Sequence, residues 1–152
     1  MSTRNLAIFV SSKQIELDDE RQTAKSVIED FGFEPIMSEV RAAGPIPARE
    51  VCLKEVENCD IYIGIFYREY SEITEAEYRK AIDNRIPCLI FIKKLREKER
   101  RDAALKELLE KIHNPIGGQW TNDFEHVEDL REKIRTSLLR LLIIRFRASI
   151  GA

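Results

Sequence analysis

Asp60-Ile61-Tyr62-Ile63-Gly64-Ile65-Phe66, Tyr67-Arg68-Glu69-Tyr70-Ser71, Thr74-Glu75-Ala76-Glu77-Tyr78-Arg79-Lys80-Ala81 and Ile86-Pro87-Cys88-Leu89-Ile90-Phe91-Ile92 follow one another between residues 60 and 92, and the fold can be read from them. The first and last pieces are short apolar runs rich in Ile, Phe and Tyr, without the polar alternation of a half-exposed sheet. Such runs are what strands buried on both faces look like, and they point to a parallel sheet. The polar loop and the segment between them are long enough for a right-handed crossover helix. The loop after the first run is therefore the best candidate for a site.

Toward the N-terminus, Leu6-Ala7-Ile8-Phe9-Val10 is a compact apolar run that stops at Ser11-Ser12-Lys13, a first buried strand leading into a polar loop. Leu17, Ala24, Val27, Ile28 and Phe31 then recur at helical spacing, with Glu16, Asp18 and Asp19 near the start, where the helix dipole favours acids, and Gly32 as the C-terminal stop. Glu34-Pro35-Ile36-Met37 is a short second strand. Its proline cannot donate to a ladder, so it belongs at the edge of the sheet. Ala42 to Pro47 is a turn-rich connection in which Pro47 suits a first helical turn, and Ala48, Cys52, Val56 and Cys59 form one face of the helix that follows.

Beyond the central unit, Lys93 to Lys111 is densely charged, yet Leu105, Leu108, Leu109 and Ile112 keep a helical stripe, so a solvated helix with a thin apolar face is expected. His113 to Gly118 breaks it, and Gln119-Trp120-Thr121 reads as a short last strand. A final helix, capped at Asn122 or Asp123, should carry Val127, Leu130, Ile134, Leu138, Leu141, Leu142 and Phe146 inward. The order βαβαβαβαβα implies an α/β three-layer, flavodoxin-like domain over residues 5–146, with a five-stranded parallel sheet in the order 2-1-3-4-5.

The composition narrows the function. In 152 residues, 43% are apolar and 34% charged, as in a globular chain, and a formal charge of −2 gives no pull toward nucleic acid or an anionic membrane. Cys52, Cys59 and Cys88 are odd in number and lack metal or disulfide spacing, so buried free thiols in a reducing, cytoplasmic compartment are expected. Met1 to Asn5 is polar and the apolar run after it is only strand-long, unlike a signal peptide; Leu138 to Phe146 is too short and too charged to span a bilayer. No metal site and no resident cofactor are expected. Dinucleotide and P-loop glycine motifs are missing, with serines after the first strand where those motifs need glycine. A phosphoacceptor receiver would want an aspartate where Phe66 ends the third strand.

In a sheet of this order, ligands sit beyond the strand C-termini between strands 1 and 3. That crevice would be lined by Ser11, Ser12 and Lys13 on one side and by Phe66, Tyr67, Arg68, Tyr70 and Ser71 on the other. Hydroxyls and cations suit phosphate or ribose oxygens, and aromatic rings suit a base. Glu77 is the carboxylate closest to the mouth. Each residue also has a plainer reading: Thr74-x-x-Glu77 fits a capping box, Lys13 and Arg68 fit solvated loop charges, and Tyr67 and Tyr70 fit loop packing. His113 and His126 have no nucleophile partner pattern.

Ile8-Phe9-Val10-Ser11-Ser12, Glu20-Arg21, Glu34-Pro35-Ile36, the run from Val51 to Ile65, Arg68-x-Tyr70 and Thr74-x-x-Glu77-Tyr78-x-x-Ala81 with Ile86-Pro87 together resemble a family of domains of uncharacterised function found N-terminal to STAND-type NTPases. That family is similar to the wider group of TIR domains and nucleoside deoxyribosyltransferases. The resemblance covers Leu6 to Ile92 closely and the last third loosely. It implies that Glu77, with Ala81 and Pro87 at matching places, is the counterpart of the glutamate those enzymes place beside an N-glycosidic C1′ centre. It further implies a nucleotide-type ligand, NAD or a nucleoside, and an N-glycosidase, NAD nucleosidase or deoxyribosyltransferase-like activity in defence or signalling. The Trp-Cys pair that often precedes the TIR glutamate is absent, Ile73-Thr74 standing in that region, and so is the Asp-x-Gly-Thr lead-in of the transferases. The alternative is a non-catalytic assembly module that self-associates or serves a STAND-type NTPase.

Overall fold

The computed structural model describes residues 5–37, 48–113 and 120–151. The expected turn from Ala42 to Pro47, the side chain of Ala48, the expected break from Asn114 to Gly118 and Gln119 of the expected last strand lie outside them. Five strands and five helices alternate: β1 (Ala7–Ser11), α1 (Asp18–Asp30), β2 (Glu34–Met37), α2 (Ala48–Glu57), β3 (Ile61–Phe66), α3 (Glu72–Asp83), β4 (Cys88–Lys93), α4 (Ala103–Ile112), β5 (Trp120–Phe124) and α5 (Val127–Ile150). Every strand pair is parallel, in the order β2-β1-β3-β4-β5. Pro35 lies on the edge strand, where its missing N–H costs no ladder bond on the open side.

Two cores flank the sheet, because successive strand residues point to opposite faces. Ile8 and Val10, Ile61, Ile63 and Ile65, and Leu89 and Phe91 pack with Val27 and Ile28 of α1 and Leu130, Ile134 and Leu138 of α5. Phe9, Tyr62, Phe66, Cys88 and Ile90 pack on the other face with Val56 of α2, Tyr78 and Ala81 of α3, and Leu105 and Leu109 of α4. Ser11 has the parity of Phe9, so the sheet aims it at the α2 and α3 layer. All three cysteines are buried and none forms a disulfide. Burial pushes the thiols of Cys59 and Cys88 up to about 11 and about 12, which keeps them protonated and inert.

Gly64 in β3 stands beside Ser11 in the register, and a Cβ there would meet side-chain atoms of Tyr62, Phe66 and Ile90, each at 3.1 Å. Three neighbours in a packed layer cannot all give way, so Gly64→Val should destabilise the domain by about 1–3 kcal/mol in urea unfolding despite valine's preference for strands. Gly32 holds φ +79 after α1, which only glycine adopts without strain.

Three expectations need correction. The charged helix does not begin at Lys93: that residue closes β4, and α4 starts only at Ala103. The intervening segment is used for tertiary bonding, with Glu99 accepting from the Tyr67 hydroxyl at 2.5 Å, Arg101 donating to the carbonyls of Tyr67 and Lys93, and Asp102 accepting from the Tyr70 N–H. These bonds outweigh helix propensity. The last helix starts at Val127 rather than near Asn122, because Trp120 to Phe124 pairs with β4 as a full strand. Finally, Phe146 does not point inward; it is 65% exposed, on a part of α5 that has passed the edge of the body.

Candidate functional site

The residues predicted from sequence fall into two adjoining groups at the C-terminal ends of β1 and β3. In the first, α3 delivers Glu77. Thr74, Glu77, Tyr78 and Ala81 recur at helical spacing and form the buried face of α3, while Glu72 and Glu75 lie in its first turn. Glu77 is therefore carried inward by the same stripe that packs the core, and only 2% of it is exposed. Its Oε1 accepts a 2.7 Å hydrogen bond from the Ser11 hydroxyl at the end of β1.

This geometry excludes the capping box. The N-cap of α3 is Ser71, whose hydroxyl accepts from the Thr74 N–H, so the helix begins before Thr74 and Glu77 sits too far along it to reach the first N–H groups. Oε2 of Glu77 makes no hydrogen bond among the described residues. Burial pushes the carboxyl up to about 7; the Ser11 hydroxyl and the charge of Arg21 pull it down, the charge of Glu55 pushes it up, and the Cys52 thiol pulls it down. Near neutral pH the group is thus poised between a carboxylate and its acid.

Arg21 was visible in the sequence only as part of a family motif, and the structure gives it a place. It lies buried in the first turns of α1 and donates from Nη1 to the hydroxyl of Ser12 at 3.1 Å and to its carbonyl at 3.4 Å. It brings a fixed positive charge to the floor of the site. Its neighbour Glu20 pairs with Lys93 at 3.1 Å and ties α1 to the end of β4. Tyr62, on the same face of β3, is also buried, and its hydroxyl makes no hydrogen bond among the described residues; burial and the charge of Glu77 push its pKa well above the usual phenol range. The alternation of β3 gives Tyr62 the parity of the α3 face, the one signal that could have found it.

The second group is the loop after β3. A cavity of about 10 Å³ lies between Lys13, Glu16 and Leu17 on one side and Phe66, Tyr70 and Ser71 on the other, with Thr74 of α3 on its wall. That is room for about one water. Arg68 is turned away to Glu16 (3.2 Å) and Glu99 (3.3 Å), its guanidinium 5.4 Å from the Tyr67 ring centroid. The Glu16 carboxylate also accepts from the N–H groups of Arg68 and Glu69, and Lys13 pairs with Glu69 at 3.8 Å on the surface. The loop is pinned from both sides. Ser11, Ser12 and Glu77 are thus together, Phe66, Tyr70 and Ser71 line the adjoining cavity, and Arg68 holds the loop over it.

A five-stranded parallel sheet in this order, covered by helices on both faces, defines a flavodoxin-like α/β domain. The family model described as "Domain of unknown function (DUF4062)" matches residues 7–139, and the chain belongs to that family. No curated protein matches it. Among solved structures it is similar to a CMP N-glycosidase of Clostridium botulinum, BcmB, at 13% identity over 84% of this chain and 97% of that one, with a TM-score of 0.63. It is also similar to a flavodoxin-like domain from Synechococcus sp., at 14% identity over 89% of this chain and 99% of that one, with a TM-score of 0.54. A de novo designed Rossmann 2x3 protein matches at 14% identity over 90% of each chain, with a TM-score of 0.56. Identities this low speak for a shared fold. Among the described residues no helix is long and apolar enough to cross a membrane.

Proposed function

We propose that this domain binds a nucleotide at the ends of β1 and β3 and hydrolyses its N-glycosidic bond, with Glu77 as the catalytic carboxylate. The observation that carries the reading is Glu77 itself: buried, fixed by Ser11 and left with one oxygen unengaged among the described residues. In such hydrolysis the C1′–N bond breaks and its electron pair leaves on the base. Positive charge develops on the ribose, and water supplies a hydroxyl to C1′ and a proton to the base. A carboxylate in a dry setting stabilises that charge far better than one in water. Arg21, with the hydroxyls of Ser11 and Ser12, suits phosphate or ribose oxygens.

The fold shared with a CMP N-glycosidase supports the reading and makes CMP the first nucleotide to try, beside NAD and nucleosides. The cavity admits no nucleotide as it stands, so binding requires the loop from Tyr67 to Ser71 to lift off its anchors Glu16, Glu99 and Asp102. Incubating the pure protein with CMP, NAD and a nucleoside panel, and following free base by chromatography, tests this. Release of base from at least one of them is expected, and release from none would overturn the proposal.

A second reading has its own support. The final helix carries an apolar stripe that the body leaves uncovered, as an assembly module would need, and the sequence resembles domains placed beside STAND-type NTPases. The two readings are compatible, since one concerns the strand ends and the other the far end of α5.

A further inference from the structure

Helix α5 has two apolar faces with different destinations. Leu130, Ile134, Leu138 and Leu141 are buried against the sheet and α1. Leu139, Ile143, Phe146 and Ile150 are 50%, 44%, 65% and 68% exposed, and at about 100° per residue they fall within about 60° of arc on the opposite side of the helix. Their spacing of four, three and four residues is the alternation of a heptad seam, with Leu139 and Phe146 at d and Ile143 and Ile150 at a. The DUF4062 match ends at residue 139, where this seam begins.

The flanks of the seam say what kind of partner it suits. Arg140 and Arg147 occupy its e positions and Arg135 a g position, and no acidic residue lies between Ile134 and Gly151. A second copy is a poor occupant: in parallel pairing Arg135 would face the other copy's Arg140, and in antiparallel pairing the two arginine-bearing e flanks would face each other. The arginines would also suit an anionic bilayer, and Ile144 is exposed outside the seam, but the four, three and four spacing of Leu139, Ile143, Phe146 and Ile150 is the form of a helix–helix seam. We infer that the outer face of α5 from Leu139 to Ile150 is a docking seam for an acidic amphipathic helix, which would pair glutamates or aspartates at its own flanking positions with Arg135, Arg140 and Arg147.

The probes are two labelled three-heptad peptides that share Ile at a and Leu at d and differ only at e and g, one carrying Glu and the other Lys. In fluorescence anisotropy with the whole chain, the Glu peptide should bind at least about tenfold more tightly than the Lys peptide and weaken as salt rises. The double variant Ile143→Ser, Phe146→Ser should abolish that binding with an unchanged melting temperature, because neither side chain belongs to the core. Equal binding of the two peptides, or binding of neither, overturns the inference. So does a dimer seen by light scattering that the double variant dissolves, which would make the occupant a second copy. Sedimentation with phosphatidylserine vesicles in the absence of peptide binding would overturn it in favour of lipid.

Discussion

Glu77→Gln should lower the rate of base release on the order of a hundredfold or more while leaving the fold intact. The amide keeps the size of the side chain and an acceptor oxygen for the Ser11 hydroxyl, so the bond between α3 and β1 survives. What disappears is the negative charge that the proposed mechanism places beside C1′. Because Ser71 rather than Glu77 caps α3, the substitution leaves the helix start untouched, and any loss of turnover reports on chemistry. Chromatographic rates of wild type and variant on the best substrate of the panel decide the matter. A variant that turns over like the wild type would remove Glu77 from the mechanism while leaving the site open to another group.

The same residue should make stability fall as pH rises from about 4.5 to about 7. Its carboxyl is held at about 7 in the fold against 4.5 in the unfolded chain, chiefly by burial. Within that window the folded state holds a proton that the unfolded state has released, so raising the pH favours unfolding; below the window both states are protonated, and above it both are ionised. The total loss is on the order of 3 kcal/mol. Glu77→Gln cannot ionise. In urea unfolding at pH 4.5, 6, 7 and 8, the variant should gain on the wild type across the window by about that amount and hold a constant lead above it. Using the difference between the two proteins cancels the other carboxylates. If both lines run parallel, the Glu77 carboxyl titrates normally.

Much of the fold was legible because its signals are local and mutually consistent. Runs such as Ile61 to Phe66 and Cys88 to Ile92 are apolar without alternation, and only a sheet covered on both faces buries such runs. Pro35 named the edge strand, and Gly32 named the end of α1. The boundaries that were misplaced lie where long-range bonds outweigh local preference. Residues 94–102 have the composition of a helix, but Glu99, Arg101 and Asp102 are spent on the loop after β3. Asn122 and Asp123 are good caps, yet they pair with Phe91 and Ile92 of β4 as strand.

The candidate site divides in the same way. Sequence alone determined that the chain is a parallel α/β domain in the order 2-1-3-4-5, that its switch point lies between Ser11 and the loop after Phe66, and that Glu77 stands on the helix serving that point. Periodicity and chain order carry this information, and both are local. Only the tertiary structure decided that Glu77 bonds to Ser11 instead of capping its helix, that Arg21 and Tyr62 share its surroundings, and that Arg68 pins the loop to Glu16 and Glu99. Those facts depend on which of several acceptors a side chain reaches once distant segments are packed together. A serine 66 residues away from Glu77 leaves no trace in the spacing around it.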